Sequence, residues 1–152
     1  MTDWTAGIED ALGDFVTVAE LGHALIRHED LKVEYLEAPH KPPSVLPAGK
    51  MAVYGFWHSG AWLKVGMAGP NSNARYTSQH YNPNSARSTL AASLLKDPRM
   101  SGKPDFDPKA VKAWIKSRCS RVNILLDAQH GMLLLRLLEA FLHLRLKPRY
   151  EK

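Results

Sequence analysis

Two neighbouring runs of strand-forming residues constrain this fold more than any other feature of the chain. Residues 51–57 and 61–65 are rich in β-branched and aromatic side chains, and His58-Ser59-Gly60 separates them. Such runs are typical of β-strands, and a short link that contains glycine is typical of a hairpin turn. The sequence therefore predicts an antiparallel β-hairpin.

A third strand and several helices are predicted around the hairpin. Residues 121–127 contain four aliphatic side chains and predict a short strand that can join the hairpin. The predicted fold class is therefore mixed α/β, of the α+β type, with a small three-stranded sheet flanked by helices. Capping residues and apolar spacing predict helices from residue 74 onward, at 85–96, after Asp107-Pro108 and at 131–146, with a loop at 96–106.

The first third of the chain has a different character. Thr17 and Glu20 form a capping-box pattern and apolar residues recur at helical spacing, so residues up to about 36 are expected to be helical. Four prolines between residues 39 and 47 then indicate a stiff, irregular connection, because proline lacks an amide donor and restricts the residue before it. We expect residues 1–48 to form a helical N-terminal extension and residues 49–152 to form the main domain.

The composition limits the kinds of protein that this chain can be. Its 152 residues are 45% hydrophobic, which is enough for one compact domain with a core. The net charge of +5 favours a polyanionic partner. Cys119 is the single cysteine, and neither a leader nor a membrane-spanning run is visible, so we expect a cytoplasmic protein outside the membrane. GxxxxGK[ST] and GxSxG motifs are both absent from the sequence.

One face of the last predicted helix carries its charged residues. Arg136, Glu139, His143 and Lys147 recur at three- and four-residue spacing in a segment that is otherwise mostly apolar. This stripe must face either water or a site. One interpretation is a solvated edge on which Glu139 pairs with its neighbours, worth a few tenths of a kcal/mol per pair. The other interpretation is a functional site.

Four polar residues follow one another in a particular order. Tyr54, Lys64 and Arg75 stand at intervals of ten and eleven residues, and Glu139 is followed closely by Lys147-Pro148-Arg149-Tyr150. This order, over roughly residues 51–150, resembles that of the GIY-YIG nuclease family. The resemblance implies a GIY-YIG-like domain at residues 49–152 and a divalent-metal-dependent endonuclease that hydrolyses DNA phosphodiester bonds.

The resemblance also implies a role for each residue. Glu139 would bind one Mg²⁺ or Mn²⁺ ion, and Arg75 would hold the scissile phosphate. Tyr54, with its pKa lowered by Arg75, and Lys64 would activate the attacking water. His80 would assist the base or the leaving group.

The chain departs from the family pattern in both triplets and near its end. The triplets read Ala52-Val53-Tyr54 and Lys64-Val65-Gly66, and the family usually has tyrosine in place of this lysine. Some restriction enzymes of the family carry lysine there, so the change is compatible with activity. Glu151 occupies a position where many relatives have asparagine. The alternative function is therefore a catalytically inactive DNA-binding or assembly module on the same scaffold.

Contacts with the DNA backbone are expected from a glycine and from basic residues. Gly66 would allow the close approach of a phosphate. The sequence leaves open a homo-oligomer formed through residues 1–50, which hold too few basic residues to predict a DNA-binding arm. Candidates for the basic footprint are Arg87, Lys112 and Lys116, with Arg99, Lys103, Arg118 and Arg121 as further members.

Overall fold

A computed structural model describes residues 2–86 and 88–151 and confirms the α+β class. Within these residues the predicted hairpin is present, and its turn holds Ser59 and Gly60 at positive φ angles of 50° and 81°. All strand pairs are antiparallel, in the spatial order β1-β4-β2-β3. The strands are β1 (Lys32–Leu36), β2 (Lys50–His58), β3 (Ala61–Ala68) and β4 (Ser120–Asp127).

Helices cover both faces of this sheet. Side chains alternate along β2, so Met51 and Val53 face one layer of helices whereas Ala52 and Tyr54 face the other. The first layer consists of α1 (Asp3–Leu21) and α6 (Met132–Leu146); the second consists of α2 (Asn73–Thr77), a 3-10 turn (Gln79–Tyr81), α3 (Leu90–Lys96), α4 (Pro98–Ser101) and α5 (Val111–Arg118).

No helix in the described part of the chain is long and apolar enough to cross a membrane.

The sheet has one strand more than the three that were predicted. Residues 32–36 form a strand and not the end of a helix, because α1 ends at Leu21 and β1 pairs with β4 along its whole length. This pairing satisfies the edge of β4, and tertiary hydrogen bonding of this kind outweighs a local helix signal. Residues 2–48 also share the core of the remaining chain, since Ile8, Leu12 and Phe15 of α1 are fully buried in it.

Several helix boundaries differ from the predicted ones. Thr17 lies inside α1 and does not begin a helix. α3 begins at Leu90 instead of residue 85, because the Thr89 hydroxyl accepts a hydrogen bond from the amide of Ala92 at 3.1 Å. The predicted loop at 96–106 contains α4, which Asp97 caps. The helices predicted from residue 74, after Asp107-Pro108 and at 131–146 are confirmed as α2, α5 and α6.

A buried arginine joins the layer of short helices to the sheet. Arg121 on β4 is 1% exposed and donates hydrogen bonds to the Asn123 side-chain oxygen (2.7 Å), the Tyr81 hydroxyl (3.1 Å) and the Tyr76 carbonyl (2.6 Å). Its guanidinium carbon lies 4.8 Å from the centre of the Tyr54 ring. The predicted role of Arg121 in the DNA footprint is wrong, because its guanidinium already donates to three protein acceptors in the core.

Replacing Arg121 with methionine should destabilise the protein by about 3 kcal/mol or more, because three hydrogen-bond acceptors would lose their donor inside the core. Urea unfolding measures this change. Arg118→Met is the matched control: this side chain is half exposed and makes only a 3.6 Å ion pair with Asp105, so its loss should cost less than about 1 kcal/mol. Similar losses in the two variants would contradict the anchoring role of Arg121.

Candidate active site

Tyr54 lies across the hairpin, over a residue that has no side chain. In the β2–β3 ladder Tyr54 is opposite Gly66, and a Cβ atom added to Gly66 would lie 3.0 Å from the Tyr54 hydroxyl oxygen. The glycine of the second triplet therefore leaves room for the phenol ring, which is fully buried. The expected contact between Gly66 and a phosphate stays a prediction.

A histidine holds the Tyr54 hydroxyl in place. His80 Nε2 lies 2.8 Å from this oxygen, and His80 Nδ1 accepts the amide of Leu90, the first residue of α3, at 3.2 Å. Because Nδ1 is an acceptor, the hydrogen of the neutral ring is on Nε2 and is donated to the phenol oxygen. The hydroxyl hydrogen of Tyr54 is thereby left for another partner.

Burial keeps this pair neutral. Burial, followed by the charges of Arg75, Arg121 and Lys64, lowers the pKa of His80 to about 3. Burial raises the pKa of Tyr54 to about 12, although Arg75 and Arg121 act in the opposite direction. Arg75 does act to lower the pKa of Tyr54, as predicted. Desolvation raises this pKa by more, so the predicted net lowering is wrong.

Arg75 reaches the pair from the short helix that follows the hairpin. Its Nε donates a hydrogen bond to the Met67 carbonyl at 3.0 Å, near the end of β3. This bond fixes one edge of the guanidinium, and a further contact of Arg75 with the Tyr54 side chain acts to lower the pKa of Tyr54. The Arg75 charge acts on Tyr54, His80 and Glu139, so α2 places Arg75 near all three residues.

Lys64 enters the site from β3 as a buried cation. Its side chain is 7% exposed, and its Nζ lies 3.3 Å from Glu151 Oε1 and 3.4 Å from the Tyr150 carbonyl. Glu151 therefore compensates the charge of Lys64 in the free protein.

Glu139 supplies the other carboxylate, from the middle of α6. Burial and the charge of Glu151 raise its pKa, whereas His143, Arg75 and Lys64 act to lower it. These charges act through space, and no hydrogen bond from a described residue contributes to the pKa shift of Glu139. His143 Nε2 donates to the Val65 carbonyl at 3.0 Å, which keeps this imidazole beside the site.

The charged stripe of α6 is divided between a site and solvent. Glu139 and His143 are partly buried, whereas Arg136 and Lys147 are exposed. Within the described residues Glu139 forms no direct ion pair with Arg136 or His143, although the charge of His143 acts on it through space; His143 Nε2 lies 3.9 Å from Glu151 instead.

The donor set fits a magnesium-type ion on a single protein ligand. In the part of the chain that the structure describes, no three His, Cys, Asp or Glu side chains are grouped so that they could hold a metal. Glu139 is a partly buried carboxylate without a hydrogen-bond donor, and Mg²⁺ is commonly bound by one or two carboxylates together with waters and phosphate oxygens.

The predicted basic footprint is not gathered at this site. Lys112 and Lys116 lie on α5, and neither is among the residues that line the cavity beside Lys64. Arg87 is outside the described residues. Arg99 forms an ion pair with Asp97 at 3.0 Å. Contact of Lys112 and Lys116 with DNA stays a prediction.

Sequence reasoning named Arg121 and Glu151 but missed the place of both residues in the site. Arg121 lies beneath Tyr54, and its signal is a charged residue two positions before Asn123 in a strand that is otherwise aliphatic. Glu151 pairs with Lys64, and its signal is an acidic residue at a position where the family that the residue order resembles often has asparagine. Neither signal says what the side chain contacts.

No protein-family model, no curated protein and no solved structure matches this chain. The interpretation of the site therefore depends on its own residues and on the residue order that resembles the GIY-YIG family.

Gly66→Ala should destabilise the protein by about 1–3 kcal/mol, because the new methyl group would meet the Tyr54 phenol at 3.0 Å. Urea unfolding measures the change. Gly7→Ala in α1 is the control: no atom lies within 4 Å of its added Cβ, so it should stabilise the protein by about 0.5–1 kcal/mol. A Gly66→Ala protein as stable as the parent would show that the ring does not need this space.

His80 should make the protein less stable in mild acid. Its pKa is about 3 in the folded protein and about 6.5 in an unfolded chain, so between these values the unfolded chain alone binds the proton. The stabilisation is complete above about pH 6.5 and is lost as the pH falls toward 3, by at most about 1.4 kcal/mol per pH unit. Urea unfolding from about pH 7 to about pH 5 should show a smaller loss for His80→Gln than for the parent. Parallel losses would refute this assignment.

Proposed function

We propose that this chain is a divalent-metal-dependent endonuclease of the GIY-YIG type, which hydrolyses DNA phosphodiester bonds. The proposal rests on one observation: the five candidate residues lie close together although they are far apart in the sequence. The Tyr54 hydroxyl is hydrogen-bonded to His80, and the charges of Arg75, Lys64 and Glu139 act on this pair and on one another. The five residues come from five separate elements. The order of these residues in the sequence does not require them to meet, so their meeting supports a common function.

Two cations would bind the scissile phosphate. The Nε of Arg75 is held by the Met67 carbonyl, and the rest of its guanidinium, beside Tyr54, would bind the phosphate oxygens. Lys64 would add a point charge from the neighbouring strand. Both charges would stabilise the negative charge that develops on the phosphate as water attacks.

Tyr54 and Lys64 would position the attacking water. His80 donates into the phenol oxygen, so the phenol hydrogen can point toward the water or the phosphate. A pKa of about 12 keeps Tyr54 a phenol at neutral pH, and it acts through hydrogen bonds and not as tyrosinate. The water oxygen bonds to phosphorus, the bond to the leaving oxygen breaks, and the proton that the water loses ends on the leaving oxygen.

Glu139 would hold the metal. A divalent ion bound there supplies charge for the phosphate oxygens and lowers the pKa of a coordinated water. A nearby cation would also keep Glu139 ionised, against the burial that raises its pKa.

The partner and the setting follow from the same proposal. The net charge of +5 suits a DNA partner, and a single buried cysteine, Cys119, suits the cytoplasm.

Glu139→Gln should lower Mg²⁺-dependent cleavage of plasmid DNA by about 100-fold or more and leave DNA binding intact, because it removes a negative charge and adds no bulk. Cleavage is followed by gel electrophoresis, and binding by the anisotropy of a labelled duplex. Glu20→Gln, on the exposed face of α1, is the control and should cleave like the parent.

Two outcomes would overturn the proposal. If Glu139→Gln cleaves like the parent, the metal site is elsewhere. If the parent binds DNA but does not cleave plasmid or branched DNA with Mg²⁺ or Mn²⁺, the chain is the inactive binding module.

A further inference from the structure

A cleft extends away from the proposed catalytic residues, between α3 and the C-terminal segment. A cavity of about 680 Å³ has Lys64, Ser93, Lys96 and Glu151 in its wall. A second cavity of about 360 Å³ shares three of these residues, Ser93, Lys96 and Glu151, and adds Arg149. We call the two together the Lys64–Arg149 cleft. It is wide enough for a chain of small groups and not only for one water or ion.

The cleft begins at a cation whose hydrogen bonds are incomplete. Lys64 has three N–H donors, yet its contacts are a long bond to the Tyr150 carbonyl at 3.4 Å and the Glu151 carboxylate at 3.3 Å. Glu151 Oε1 is buried and makes no well-aligned hydrogen bond within the described residues. A buried ammonium with weak partners, in the wall of a cavity, is suited to an anionic oxygen that enters from that cavity.

Further cations continue along the wall. Lys96 ends α3 and Arg149 lies in the C-terminal segment, and both side chains are exposed. Arg99 also lines the second cavity, but Asp97 compensates it at 3.0 Å, and Asp97 is itself held by the Tyr150 hydroxyl at 2.7 Å. Lys64, Lys96 and Arg149 are therefore the charges that the cleft offers, and Glu151 is the anion among them.

We propose that Lys96 and Arg149 of the Lys64–Arg149 cleft bind the phosphates that flank the scissile phosphate on one DNA strand, and that Glu151 takes the place of the scissile phosphate on Lys64 in the free protein. A line of separate cations suits a phosphodiester backbone, because its charges repeat at regular intervals. This inference rests on the proposed nuclease function and adds the path of the substrate. DNA entry exchanges the carboxylate on Lys64 for a phosphate oxygen.

The proposal predicts opposite effects on DNA affinity for two kinds of substitution. Lys96→Ala and Arg149→Ala each remove a phosphate contact, so binding should weaken several-fold and the salt dependence of log K should fall by about one unit per contact. Glu151→Gln removes the competing anion at nearly constant shape, so binding should tighten. A structural role of Glu151 alone would not increase affinity.

The test measures the anisotropy of a labelled DNA duplex in EDTA, from about 50 to about 200 mM salt, so that binding is separated from cleavage. Lys32→Ala is the matched control: it removes an exposed lysine from β1, which lies at the opposite edge of the sheet from β3. Thermal unfolding of each variant checks that the fold is kept. The expected order of affinity is Glu151→Gln above the parent and Lys32→Ala, and Lys96→Ala and Arg149→Ala below them.

The failures of the two proposals are distinguishable. If the parent cleaves DNA and the Lys96 and Arg149 variants bind like Lys32→Ala, the cleft is wrong and the nuclease proposal stands. If Glu151→Gln binds no more tightly than the parent, the exchange at Lys64 is wrong. If the parent neither binds nor cleaves DNA, both proposals fall.

Discussion

The buried guanidinium of Arg121 is the interaction on which the arrangement of this molecule depends. It has no carboxylate partner among the described residues, and it is held by hydrogen bonds to Asn123, Tyr76 and Tyr81 and by aromatic rings that include Tyr54. The Tyr81 hydroxyl also lies 2.7 Å from His40 Nε2, so the same cluster reaches the proline-rich connection. One strand residue thus joins the sheet, the short helices and the segment before the hairpin.

The same cation sets the electrostatics of the proposed site. Arg121 lies behind Tyr54 and His80, and together with Arg75 it opposes protonation of the imidazole. The result is a neutral donor that holds a neutral phenol, at the bottom of a site whose charges belong to Arg75, Lys64, Glu139 and Glu151. In the proposed mechanism the buried neutral pair therefore orients the attacking water, and the charged residues around it supply the electrostatic stabilisation.

The sequence predicts the parts of this fold that local chemistry determines. The hairpin has its own turn residues, and β4 and α6 have strong apolar patterns, so each was predicted close to its observed position. β1 was missed because its residues are not distinctive and its strand form depends on the open edge of β4, which is distant in the sequence.

The site, like the fold, has some features that the sequence predicts and others that depend on contacts distant in the sequence. Tyr54, Lys64, Arg75, His80 and Glu139 could be selected because their order resembles that of a family, and the structure brings them together. Their protonation could not be predicted, because it depends on burial: the charge of Arg75 suggested a lower pKa for Tyr54, and desolvation reversed the outcome. The partners of Lys64 could not be predicted either, because Glu151 approaches it only after the C-terminal segment has folded back over β3, where the Arg149 amide bonds the Trp62 carbonyl at 2.9 Å.

The central claim is that these five side chains form one phosphodiester site. Its most direct test is a crystal structure of the Glu139→Gln protein with a DNA duplex, in which cleavage is blocked. The account predicts a phosphate bonded to Arg75, with Tyr54 and Lys64 within hydrogen-bonding distance of that phosphate or of a water beside it. DNA bound on another face, with no phosphate near Arg75, would contradict the account.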